Sequence, residues 1–200
     1  MTGKARADGM LSAFDWLGYG AVLVGRDGHV IDLNSEARRH IGSSLQVVRG
    51  QLAARDRQAK GRLQEHLADM ADGHAKRDAA PSAVVLPRPS GRPVVALVVS
   101  TPTGLREGMP ELGGIVLLLD PNVQRVPAAS LLQQAFGFTP AEIRLASGLI
   151  RDHDLRAIAE RHKVSVGTLR VQLKSIFAKT NTKRQAQLLT LLAQVSLRPR

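Results

Sequence analysis

The rhythm of apolar and polar positions changes along this chain. Short strand-like runs fill the first 120 residues, and helical spacing takes over after about residue 130. From Trp16 to Asn34 the pattern is strand-like: Val22 and Val24, then Val30, Ile31 and Leu33, flank Asp27-Gly28, a dipeptide that closes tight hairpins, so two antiparallel strands are predicted. "NSEARRHIG" follows as a helix that Asn34 or Ser35 can cap and Gly42 can end. A second helix is predicted within "RDRQAKGRLQEHLADMADG", where Leu63, Leu67 and Met70 share one face. "PVVALVVST" (93–101) and "GGIVLLLD" (113–120) read as strands on either side of the loop "PTGLREGMPEL". This order predicts an α+β domain, an antiparallel sheet half covered by helices, over residues 12–122. The two prolines of "PNVQRVPAAS" mark a linker, taken as residues 123–130.

An all-α domain of four helices is predicted over residues 131–197. Thr139-Pro140-Ala141-Glu142 is a capping box, with Phe138 and Ile143 as its hydrophobic staple. Asp154 can cap a short helix over "LRAIAERH", "KVS" makes a turn, and Ser165 caps the next helix. Thr182 and Gln185 suggest a second capping box ahead of "RQAQLLTLLAQV", whose stripe is Leu188, Leu189, Leu192 and Val195. Two helices joined by a three-residue turn, the second longer and basic, make a helix-turn-helix.

That second helix, "VSVGTLRVQLKSIFAKT" (164–180), carries Leu169, Leu173, Ile176 and Phe177 along one side. Arg170, Val171 and Lys174 share the opposite side at helical spacing. Packing gives no reason for two cations around a bare valine on an outer surface. In a DNA major groove, Arg170 and Lys174 can reach guanine O6 and N7 while Val171 meets a thymine methyl. Lys179, Lys183 and Arg184 lie near the far end, placed for phosphates, and amides near Ser165 and Thr168 can hold another.

Charge sharpens this picture. Residues 1–127 hold 16 Lys/Arg against 13 Asp/Glu, whereas residues 128–200 hold 12 against 4, so the excess sits in the helical part and favours a polyanionic partner. Aromatic content of 3% leaves little for stacking platforms on single strands, which points to duplex DNA. No stretch is long and apolar enough for a membrane helix, and "MTGKARADGM" has no apolar core of a signal peptide, so a soluble, cytoplasmic protein is expected. Zero cysteines exclude disulfides, thiolate metal sites and cysteine nucleophiles.

The span Phe138 to Leu189 resembles the LuxR-type (NarL/FixJ) DNA-binding domain: "FTPAEIRLASGLI" is similar to its opening helix, "AIAERHKVSVGTLRVQLKSIFAKT" to its two central helices and "TKRQAQLL" to its last. The resemblance implies that Arg170, Val171 and Lys174 face bases and that Thr168 and Lys179 contact the DNA backbone. It also implies a homodimer through the last helix, by Leu188, Leu192 and Val195. The chain departs from the family pattern at Ala157 (usually glutamate), at Gln172 (usually histidine) and at His162-Lys163 (usually leucine-glycine). A non-glycine in a left-handed turn costs roughly 1–2 kcal/mol. "AVLVGRDGHVIDLNSEARRHIG" resembles the opening hairpin and first helix of a PAS-like sensor domain, which implies a pocket for a small-molecule ligand or a dimerising surface.

No cofactor is identified by the sequence. His40, His66 and His74 are the candidate haem ligands, and each is read as a surface histidine on a polar helix face. "RDHD" (151–154) is read as a cap with exposed charges, not a metal or acid–base site, and "PSGRP" (89–93) as a turn. No catalytic constellation emerges, so an enzyme is not expected. The chain reads as a sequence-specific DNA-binding transcriptional regulator controlled by its N-terminal domain, with RNA polymerase a further candidate partner. The alternative is a protein-interaction adaptor that keeps a helix-turn-helix shell without binding DNA.

Overall fold

The computed structural model describes residues 2–71, 81–101, 108–152 and 154–196. The chain divides into two compact units, Met1–Val123 and Gln124–Arg200.

The first unit contains, in order, α1 (Thr2–Leu17), β1 (Gly20–Gly25), β2 (Val30–Leu33), α2 (Ser35–Arg38), β3 (Leu45–Val48), β4 (Gln51–Ala54), α3 (Arg57–Ala71), β5 (Ser82–Leu86), β6 (Val94–Ser100) and β7 (Leu112–Leu119). Five strands form one sheet in the order β2-β1-β7-β6-β5, with every pair antiparallel. β3 and β4 pair as a separate hairpin. All six residues of "GAVLVG" are buried because both faces of β1 are covered. Val22 and Val24 point to the larger core with Leu63, Leu67, Val84, Leu86, Val116 and Leu118. Ala21 and Leu23 point the other way, against Ala7 and Leu11 of α1 and against Met109 and Leu112.

The predicted hairpin and the strands near 93–101 and 113–120 are present, but three features depart from expectation. Helix α1 has no counterpart in the sequence reading; its buried strip of Ala7 and Leu11, with Met10 and Phe14 alongside, is short and runs straight into the exposed Trp16 and Leu17. The helix after β2 has only four residues, and Gly42 (φ +90°) lies in a later turn and does not end it. Strands β3, β4 and β5 are additional to those expected; the β3–β4 turn is Arg49-Gly50, both at positive φ, which lacks the Asn or Asp that usually announces such a turn. The cap on α2 is Asn34, whose buried Oδ1 accepts from Ala37 N and from Ala21 N, each at 2.9 Å, so one side chain fastens the helix start to β1. Residues 102–107 of the predicted loop lie outside the described residues.

The second unit holds α4 (Ala129–Phe136), α5 (Pro140–Asp152), α6 (Leu155–His162), α7 (Val166–Thr180) and α8 (Gln185–Gln194). Four helices were expected; α4 precedes them and places Leu132 in the same core as Phe138, Leu145, Leu149, Ile158, Leu169, Ile176, Leu188 and Leu192. The capping box at α5 is formed in both directions, with Thr139 N donating to Glu142 Oε2 at 2.7 Å and Glu142 N to Thr139 Oγ1 at 3.3 Å. Asp154 Oδ1 caps α6 through Arg156 N, and Ser165 Oγ caps α7 through Thr168 N. Thr182, expected to open a capping box with Gln185, is not the cap residue of α8. The cap residue of α8 is Arg184, which contributes no side-chain cap bond, and Gln187 Oε1 instead accepts from Lys183 N at 3.0 Å. α5 and α6 approach closely at Gly148, where an added Cβ would stand 3.0 Å from Ile158. Among the described residues no helix is long and apolar enough to cross a membrane.

Candidate nucleic-acid interface

Helix α7 owes its position to its apolar side. Leu169, Leu173 and Ile176 are buried in the core of the second unit, with Phe177 packed against it. Burying each aliphatic side chain is worth roughly 1.5–3 kcal/mol, so rotation of α7 about its axis is resisted. The opposite side is therefore held outward. Arg170 and Lys174 are exposed, and between them Val171 is 72% exposed. At the helix start Ser165 and Thr168 are exposed, their hydroxyl oxygens 2.8 Å apart. Both therefore serve the helix cap while keeping a side toward solvent.

Lys179 is placed differently from the phosphate contact expected of it. Its Nζ donates to Gly137 O at 2.8 Å and lies 2.6 Å from Glu142 Oε2, so its charge is matched within the unit. Glu142 also accepts from Ser175 Oγ at 2.7 Å. Burial raises the Glu142 pKa, but the bonds from Lys179, Ser175 and Thr139 outweigh it and hold the carboxyl down at about 2. Lys183 and Arg184 are exposed at the α7–α8 junction, as a phosphate-contacting role requires.

The proposed dimer contact needs correction. Leu188 and Leu192 are fully buried in the core of their own unit, and Val195 is half-buried, so these leucines are not a free surface in this fold. The stripe on α8 matches what a core helix needs, and sequence spacing alone does not separate that from a dimer seam. His162 and Gln172 are both half-buried and line one cleft with Ala141, Arg144, Leu145, Val164 and Leu169. Gln172 thus points off the outward face formed by Arg170, Val171 and Lys174.

The turn before α7 holds two exposed residues that the site assignment passed over. Lys163 adopts the left-handed conformation (φ 53°, ψ 45°), and Val164 beside it is 38% exposed. A non-glycine residue in a left-handed turn is what the sequence predicts here, and Lys163 occupies it.

In the first unit, His40 is buried, not on the surface as expected, and burial lowers its pKa, with Arg88 and Arg39 adding to the effect against Asp120. It lines a pocket of about 430 Å³ with Glu36, Arg39, Ser43, Arg88, Asp120 and neighbours. Arg88 Nη2 stands 2.7 Å from Asp120 Oδ1, while the buried Arg88 Nε has no hydrogen-bond partner among the described residues. Donors and acceptors of both signs suit a small polar molecule. His66 is half-buried on α3, and His74 lies outside the described residues. Of "RDHD", Asp154 is the α6 cap and Arg151 is exposed, whereas His153 and the Asp152 side chain lie outside the described residues. Among the described residues no three His, Asp or Glu side chains gather as a metal site would require.

No family model matches the chain, and no curated protein does. Several solved structures are similar at low identity. The phage VqmA–DPO complex is 15% identical, with a TM-score of 0.34, covering 100% of this chain and 95% of that one. VqmA bound to DPO is 16% identical, with a TM-score of 0.37, covering 96% of this chain and 90% of that one. The Vibrio cholerae VqmA dimer, described among LuxR-type receptors, is 13% identical, with a TM-score of 0.34, covering 92% of this chain and 85% of that one. These values mark a distant likeness, too slight to carry a function to this chain.

Proposed function

We propose that this protein is a sequence-specific DNA-binding transcriptional regulator. α7 enters the major groove, and the first unit controls how it is presented. One observation carries the reading: Val171 stands bare between the exposed Arg170 and Lys174, on the face of α7 opposite its buried leucines. An arginine reading guanine edges and a valine against a thymine methyl distinguish base pairs in the major groove. Lys183, Arg184 and the α7 start supply backbone contacts that carry no sequence information. Lys179 acts chiefly in the fold, since its ammonium is matched by Glu142.

Control follows from the polar pocket of the first unit, which ends at Val123, the last residue before the second unit begins. A small polar ligand between α2 and the chain at Asp120 alters the segment leading into the helices. Two copies acting together engage two half-sites, so their spacing sets affinity. No catalytic step is needed.

Selection of binding sites from random duplexes tests this directly. The expected result is an enriched motif whose affinity falls steeply with salt, as several phosphate contacts require. A flat salt response with no enriched motif sinks the reading and leaves the protein-interaction adaptor in its place.

A further inference from the structure

We infer that Lys163 is a phosphate-contacting residue at the turn of the helix-turn-helix, an inference that rests on the DNA-binding reading above. The backbone there is left-handed, φ 53° and ψ 45°, with Lys163 N bonded back to the end of α6 and Val164 N to Ala159 O at 3.0 Å. This is the position after a helix end where glycine fits without strain. A lysine carries a Cβ into that conformation and gains nothing from packing, because its side chain is exposed. No ion pair or side-chain hydrogen bond engages its ammonium among the described residues.

A cation at the end of α6 gains a little from the helix dipole, less than the left-handed backbone costs, so a further benefit is sought outside the fold. The location supplies it. In this motif the first helix crosses the DNA backbone and the second lies in the groove, so the turn between them passes over the groove's edge, where the phosphates are. Lys163 stands two residues before Ser165, the cap of α7. Arg170 and Lys174 are placed to read bases, and Lys179 is occupied by Glu142. Lys163 therefore adds a phosphate contact at the near end of α7 to those of Lys183 and Arg184 at the far end.

The full-length chain and its Lys163→Gln, Lys163→Arg and Lys163→Gly variants are titrated with a fluorescein-labelled pool of random duplexes across a salt series. Lys163→Gln and Lys163→Gly are expected to bind more weakly, with the log–log salt slope shallower by about 0.9. Lys163→Arg keeps the wild-type slope. Lys163→Gly also melts higher than wild type, which separates lost binding from lost folding. A Lys163→Gln variant with the wild-type slope and affinity overturns the inference while leaving the DNA-binding reading intact. A wild-type protein whose own binding is flat with salt overturns both.

Discussion

Glu142 ties the beginning of α5 to the far end of α7 with one carboxylate. It closes the capping box at Thr139 and takes bonds from Ser175 and Lys179 of α7. Glu142→Gln keeps the shape but loses the charge, and a drop of about 1.5–3 kcal/mol in unfolding free energy is expected, read by denaturant titration. The pH response has a definite sign. A carboxyl held at about 2, below its ordinary value of 4.5, stabilises the fold fully above that ordinary value and loses its contribution as pH falls toward 2. Acid titration of the wild type should therefore show a loss that Glu142→Gln lacks. Two left-handed residues offer a contrast at the same scale. Asn181 (φ 51°) ends α7 with a side chain that tolerates this region, whereas Lys163 (φ 53°) does not. Lys163→Gly should raise stability by about 1–2 kcal/mol, and Asn181→Gly by clearly less, as their melting temperatures will show.

Among the elements, α7 and α8 look alike in sequence and serve differently. Both carry leucines at helical spacing, but α7 keeps an outward face on which a valine is flanked by cations. Arg170→Ala should weaken binding to a selected duplex by roughly 1–3 kcal/mol and relax base choice at one position, measured by competition between sequence variants. Unchanged discrimination removes Arg170 from the reading face. α8 contributes Leu188 and Leu192 to the core of the unit. Leu192→Ala should accordingly cost about 2–5 kcal/mol, with a melting temperature that does not vary with protein concentration. A concentration-dependent loss would restore the dimer role to this helix. β1 illustrates the same ambiguity in the sheet: its unbroken apolar run is explained by α1 on one face and the main core on the other.

For the whole molecule, the two units share one electrostatic habit. Each contains a largely buried carboxylate bonded to a cation, Asp120 with Arg88 in the first and Glu142 with Lys179 in the second. Burial raises the Asp120 pKa, but the bonds from Arg88 and Asn122 prevail and lower it. Acidification through the carboxylate range should thus weaken both units, visible as parallel loss of the near-ultraviolet signal of Trp16 in the first unit and of helical circular dichroism. The charge excess of residues 128–200 has a different character, since Arg170, Lys174, Lys183 and Arg184 within it are exposed. Exposed cations of one sign repel one another in the free protein and are relieved by a polyanion, which is why salt dependence is the decisive measurement.

The sequence by itself determined whatever depends on neighbours along the chain. The caps at Asn34, Thr139, Asp154 and Ser165, the Asp27-Gly28 hairpin and the two-sided character of α7 all involve residues within a few positions of one another, so spacing and side-chain chemistry sufficed. Only the tertiary structure decided what depends on distant partners. Lys179 meets Glu142 across 37 residues, Leu192 turns inward to a core built from five helices, and His40 is closed in beside Asp120 across the sheet unit. A lysine bound for a carboxylate and one bound for a phosphate are identical in sequence. What separates them is whether the fold brings the carboxylate within hydrogen-bonding reach.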